Sequence, residues 1–322
     1  MTFNQLTSLG SAAKRVTALV GLVASSVSFS AHAGLVISAS YDANSTFTAA
    51  EKASIDAAIN VIESSFSDPY TIKIKFTNLA TGLGGSSTWI TSQAYSTVHT
   101  KMTSDATTAS DTSALGTLGS TDSFFRSIIL STAQCRVLGM GCGQGGDGFD
   151  GTININTTLT DADRSDGIGA GKYDMMSVVL HEIDEVMGSG SWIGQSTNPA
   201  EGRVQDLFRY TAGGARTFTA AGDDAYLSID GGVTDLARFN QLASGDYGDF
   251  YSCGPGATPA VLVQNACGSP GVLVDYSNVE LTMMDVLGYD RIVSDTSIPE
   301  PSSALLLIPA LAALRRMRLT KA

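Results

Sequence analysis

Apolar and polar positions alternate over short stretches near both ends of the first half of the chain. Leu35–Tyr41, Thr71–Phe76 and Gly151–Asn156 each read as a strand. Between the first two, Ile55, Ala58, Ile59, Ile62 and Phe66 recur at helical spacing, which predicts a helix from Ala49 to Phe66 capped by Thr48. Gly82–Ser87 reads as a glycine/serine loop, Gln93–Ser104 as a helix, and Thr107–Ser123 as irregular. Asp174 is placed to cap a helix from Met175 to Met187 that Gly188 ends. Beyond it the pattern breaks up: short strands are expected near Phe208, Phe218, Leu227 and Val272, and a last helix over Leu281–Leu287. Helix, mixed sheet, helix and a loop-rich second half make an α+β pattern.

The two ends follow different rules. Lys14 and Arg15, the apolar stretch Val16–Phe29 and Ala31-His32-Ala33 form a secretory signal, so residues 1–33 are expected to be removed. Residues 34–296 then form the working domain. At the other end, Pro299-Glu300-Pro301 precedes an apolar run, Ala304–Leu314, and a basic cluster of Arg315, Arg316, Arg318 and Lys321. These three elements in this order resemble the PEP-CTERM sorting signal of Gram-negative bacteria. The resemblance implies that residues 297–322 touch the membrane transiently and are cut by an exosortase.

Charge narrows the partners. The chain carries 19 Lys+Arg against 31 Asp+Glu, and the two ends hold six of the basic residues and few of the acidic ones. The body is therefore near −18. Such a surface repels nucleic acid and anionic lipid. In the oxidising compartment that a signal implies, Cys135, Cys142, Cys253 and Cys267 are expected to pair as Cys135–Cys142 and Cys253–Cys267. A four-cysteine zinc site is the competing reading, and its spacings are unlike those of a zinc ribbon.

The chemistry concentrates in Val178-Val179-Leu180-His181-Glu182-Ile183-Asp184-Glu185-Val186-Met187-Gly188. His181 and Glu185 are four apart and share a helix face, with Glu182 on its flank. This is the geometry of H-E-x-x-H, two metal ligands and an intervening general base, with Glu185 in place of the second histidine. A carboxylate is an acceptable zinc ligand. Outside the signal the only other histidine is His99, so three imidazoles are impossible. Asp206, 21 residues beyond Glu185, is the first candidate for the third ligand, ahead of Glu201 and His99. Arg209 and Tyr210 are candidates to stabilise an oxyanion. Leu281, Met284 and Leu287 keep helical spacing, which reads Met283-Met284 as packing rather than a Met-turn. Gly145-Gly146-Asp147-Gly148-Phe149-Asp150 matches a single calcium-repeat unit. Such units work by stacking, so a plain glycine loop is the stronger reading and Ca2+ the weaker one.

The strand over Thr152–Asn156 followed by the His181 helix is similar to the edge strand and active-site helix of zincin metallopeptidases. His181–Gly188, Asp206–Tyr210, Ser228–Gly232, Gly245–Asp249 and Asp285–Tyr289 together resemble a PEP-CTERM-associated metalloprotease family. The resemblance implies a zincin-like fold, Zn2+, and hydrolysis of peptides or proteins outside the cytoplasm. It carries over His181 as ligand, Glu182 as base and Glu185 as second ligand. The chain departs from the metzincin pattern at Glu185 and at Ser191, where a third histidine would fall. Two other readings stay open: a degenerate zincin that binds a surface or matrix component without cutting it, and a structural protein whose His181 is an ordinary buried histidine.

Overall fold

The computed structural model describes residues 34–293, apart from 122, 123, 220, 221, 223, 244, 255, 256 and 258–260. The segments read above as a secretory signal, 1–33, and a sorting tail, 297–322, lie outside the described residues. Six strands and six helices carry the architecture: β1 (Val36–Tyr41), α1 (Ala49–Ser65), β2 (Thr71–Asn78), β3 (Gly84–Thr88), β4 (Ile90–Ala94), α2 (Tyr95–Asp105), α3 (Ala109–Gly116), β5 (Ser127–Ser131), α4 (Thr132–Val137), β6 (Gly151–Ile155), α5 (Met175–Met187) and α6 (Asn278–Val286). Two-residue strands complete it. The fold is α+β.

The main sheet runs β1-β2-β6-β3. β1, β2 and β6 are parallel, and β3 joins antiparallel to β6 at the edge, with Gly84 opposite Ile155 and Thr88 opposite Gly151. Alternation puts Ile72, Ile74 and Phe76 of β2 and Ile153 and Ile155 of β6 in the core. α1 starts at a reciprocal capping box: Glu51 N–H donates to Thr48 Oγ1 and Thr48 N–H to Glu51 Oε2. It packs beside α5, which lies against β3 and β6. The close approach of α5 depends on glycine. A Cβ at Gly151 would stand 2.6 Å from Val186 Cγ2, and one at Gly84 2.4 Å from Glu182 Oε1.

Three expectations change here. Gly82–Ser87 is not a loop, because residues from Gly84 onward form β3. Glycine and serine have low strand propensity, yet pairing with the buried β6 and the room that small residues leave for α5 outweigh it. Within the expected irregular stretch, α3 forms on a second capping box between Thr108 and Asp111. The last helix also starts earlier than expected, at Asn278, on a box made by Ser277 and Glu280.

The second half holds together mainly by loops. Arg209–Tyr210, Tyr226–Leu227 and Ala237–Arg238 form a small antiparallel sheet, while no strand forms at Phe218 or Val272. Disulfides join Cys135 to Cys142 and Cys253 to Cys267, each with Cα atoms 5.8 Å apart. These are the expected pairs, and they point to an oxidising, extracytoplasmic environment. Among the described residues no helix is long and apolar enough to cross a membrane.

Candidate metal centre

α5 carries Val179, Leu180, Ile183, Val186 and Met187 into the core, which turns His181 and Glu185 toward β3 and the loops of the second half. One turn of helix brings His181 Nε2 to 3.5 Å from Glu185 Oε1. The third group comes from a loop: Asp249 Oδ1 lies 3.7 Å from His181 Nε2. Among the described residues these three side chains form a trio whose ligand atoms all lie within 4.8 Å of one another. Tetrahedral bonds of about 2.0–2.1 Å to nitrogen and oxygen would set ligand atoms roughly 3.3–3.4 Å apart, so the trio needs only small adjustments to close on a zinc-sized ion.

The orientation of His181 suits that role. Its Nδ1 is 3.0 Å from the Val263 carbonyl. A carbonyl only accepts, so Nδ1 carries the proton and Nε2 faces the carboxylates. Glu185 is oriented in turn by the Ser86 hydroxyl of β3, which donates to Oε2 at 2.6 Å. Gln264 Nε2 donates to Asp249 Oδ1 at 3.2 Å.

Crowding of carboxylates dominates the electrostatics. Glu182 is pushed up to about 9, by burial first and then by the Glu185 charge, against the pull of His181. Burial and the neighbouring acids Glu185 and Asp246 raise Asp249 to about 7 although His181 opposes them. Burial alone would also raise Glu185, but His181 and Ser86 hold it below the usual glutamate range. Burial would lower His181, yet Asp249, Glu185 and Glu182 outweigh it and drive the ring well above its ordinary value. A cluster of three acids around one imidazole is short of positive charge, which is the condition a divalent cation relieves.

No family model, curated protein or solved structure matches this chain.

The trio sits between two recesses. One, of about 180 Å³, is walled by Leu83, Gly84, Val178, Val263 and Val274 and reaches His181, Glu182 and Asp249. The other, of about 250 Å³, is more polar and reaches Glu185 past Ser86, Trp192, Arg203 and Asp246. β3 borders both, through Gly84 on one side and Ser86 and Thr88 on the other.

The structure brings together His181, Glu182 and Glu185 but places Asp206, the expected third ligand, elsewhere. Asp206 is buried, and both its oxygens are used: Oδ1 accepts from Ser191 Oγ at 2.5 Å, and Oδ2 from the backbone N–H groups of Trp192 and Arg203 at 2.9 and 2.8 Å. It is a loop fastener, and Asp249 stands at the site instead. Glu201 accepts from Trp192 Nε1 and Ser196 Oγ, and His99 lies against the Tyr95 ring, so neither runner-up joins the trio. Arg209 and Tyr210 line neither recess. Both are buried, with Arg209 Nη1 on the Tyr247 carbonyl and the Arg216 guanidinium over the Tyr210 ring. Met283 and Met284 are core residues of α6, as their spacing predicts. In the glycine loop, Asp150 is engaged bidentately by Arg136 at 2.6 and 2.8 Å, and Asp147 accepts from Trp89 Nε1 and Phe149 N–H. Those partners are protein groups, which favours the plain loop over a calcium unit.

Asp249, Gln264 and Ser86 are the members that sequence reasoning missed. The turn-rich Gly245-Asp-Tyr-Gly-Asp249 was the available signal for the first.

Proposed function

We propose that this chain is an exported, zinc-dependent metallopeptidase of zincin-like architecture. The observation that carries this reading is the convergence of His181, Glu185 and Asp249 with Glu182 beside them, next to a sheet edge. An imidazole and two carboxylates are an N/O donor set that zinc accepts, and the donor spacings suit it. Bound there, zinc would supply Lewis acidity toward a carbonyl and lower the pKa of water.

The residues of the chain do the rest. β3 is an edge strand, so an extended peptide can add to it by backbone hydrogen bonds and lie across the trio. Glu182 borders the recess beside His181, placed to take a proton from attacking water and hand it to the leaving amine. Its raised pKa belongs to the cation-free cluster, and a nearby positive charge lowers it toward the ionised base. The Val263 carbonyl and the Ser86 hydroxyl orient the imidazole and the carboxylate toward each other. Disulfides and the signal at residues 1–33 support export, and the Pro299-Glu300-Pro301 tail supports sorting by an exosortase to the surface or matrix of a Gram-negative cell.

Metal analysis of the purified protein tests this first. One zinc per chain is expected in wild type and none in His181→Ala, and equal or absent zinc in both would sink the site. Hydrolysis of an unfolded protein substrate should then fall about 10²- to 10⁴-fold in Glu182→Gln with zinc retained. Zinc without any hydrolysis in wild type would leave the degenerate, matrix-binding reading standing in its place.

A further inference from the structure

Gln264 stands out among the buried groups around the trio. It is fully buried, and its Nε2 lies 3.3 Å from His181 Nε2 and 3.2 Å from Asp249 Oδ1. Those are the separations expected between neighbouring ligands of one small cation. The Oε1 on the other side of the same amide is buried with no hydrogen-bond partner. The two ends of a carboxamide have nearly the same shape, so half a turn exchanges them without repacking. A cation in the trio would decide between them. It would occupy the lone pair of His181 Nε2 that faces the amide, and it would repel the N–H groups while attracting the oxygen.

We propose that Gln264 is a ligand of the metal, presenting Oε1 as a fourth protein donor beside His181, Glu185 and Asp249. This rests on the metal reading given above. The backbone around Gln264 is built for such a part. Glu280, buried at the start of α6, accepts the N–H groups of Val263 and Gln264 on Oε1 at 2.6 and 3.2 Å and closes the helix cap with Oε2. The Val263 carbonyl then receives His181 Nδ1. One carboxylate thus positions both the residue that orients the imidazole and the residue that offers the amide. With four protein donors, a water would be a fifth ligand, the expanded coordination that zinc sites adopt at times.

The test uses full-length protein loaded with Co2+ or Zn2+, with Gln264→Leu and Gln264→Glu as variants. Leu removes the donor at similar size, and Glu supplies an oxygen in either rotamer. Gln264→Leu should weaken zinc about 10- to 100-fold in a chelator competition, while Gln264→Glu binds at least as tightly as wild type. The visible bands of the Co2+ form should move in both variants, because the ligand itself changes. If Gln264 only orients Asp249 through its N–H, the Co2+ spectrum of Gln264→Leu stays that of wild type, and the proposal is overturned. Should Gln264→Leu fail to fold, the spectrum of Gln264→Ala, which also lacks a donor, decides in its place. A wild-type protein that takes up neither metal refutes the metal centre itself, a separate result.

Discussion

From β1 to α5 the backbone groups of this protein are satisfied mostly by ladders and helices; beyond Gly188 side chains take over much of that work. Asp206 accepts two backbone N–H groups, Asp230 accepts those of Val233 and Thr234, and Glu280 accepts the N–H groups of Val263 and Gln264, while Asn240 donates to the carbonyls of Leu242 and Asp246. The first region offers His181, Glu182 and Glu185 from a rigid helix. The second supplies Asp249 and Gln264 from loops pinned by buried carboxylates and amides. A loop held by a few polar anchors depends on each of them more than a helix depends on any one turn, because removing one buried acceptor strands several donors.

The largest expected contrast is between two aspartates of the loop region. Asp249→Ala should weaken zinc about 100-fold or more while the fold stays intact. Asp206→Ala leaves the Ser191, Trp192 and Arg203 donors without their acceptor, and should cost about 2–4 kcal/mol of stability. Zinc affinity of the folded Asp206→Ala protein should remain within several-fold of wild type. Chelator competition and denaturant unfolding of the two variants measure both quantities. Interchanged results would return Asp206 to the metal and make Asp249 the fastener.

This contrast also marks what could be read from the sequence. His181 and Glu185 were legible because a helix fixes the geometry of positions four apart, whatever surrounds it. The paired alternation of β2 and β6 was legible for the same reason, and so were the two short-range disulfides. β3 was not, since its Gly84-Gly85-Ser86-Ser87 run takes its structure from β6 and α5 and not from its own propensity. Asp249 lies 64 residues beyond Glu185, and no local rule connects a loop carboxylate to a helix at that distance. Asp206 looked better placed in sequence. Its real partners, Ser191 and two backbone N–H groups, are 15 residues away or fewer, and a nearby loop needs an anchor as much as a metal needs a ligand. Ser277-Asn-Val-Glu280 reads as a capping box, but nothing local shows that the second oxygen of Glu280 holds the site loop.

The two disulfides give a smaller version of the comparison. Cys253–Cys267 closes the loop that contains Val263 and Gln264, whereas Cys135–Cys142 closes a loop after α4. Replacing either pair by serine should cost about 2–3 kcal/mol by loop entropy. Only the Cys253→Ser, Cys267→Ser protein should also lose zinc affinity, by about fivefold, because its site loop is no longer closed. Equal zinc affinity in both double variants would show that Glu280 holds that loop alone.

Gly84→Ala probes the regular region. The added Cβ would meet Glu182 Oε1 at 2.4 Å and Val178 Cγ1 at 2.8 Å, so Glu182 must move or β3 must step away from α5. Hydrolysis should fall about tenfold while zinc affinity holds, since neither His181 nor Asp249 touches that Cβ. A fall in zinc affinity as large as the fall in rate would mean that β3 supports the ligands more than the base.

The smallest effect lies away from the His181 trio, where Asp68 and Asp105 share a recess with Asp290. Burial first, and the neighbouring acids second, push both Asp68 and Asp105 up to about 7 from an ordinary 3.8. The sign follows from where protons are held. Between those values the folded protein keeps protons that the unfolded chain has released, so the stability these carboxyls contribute is full below about pH 4 and is lost as pH rises through 7. Asp105→Asn removes one charge from the recess without removing its bulk. It should therefore raise stability by about 1 kcal/mol at pH 8, after allowance for the partial exposure of the group, and leave it unchanged near pH 4. Thermal unfolding of wild type and variant at the two pH values reads the difference. An equal shift at both would assign the change to packing and not to charge.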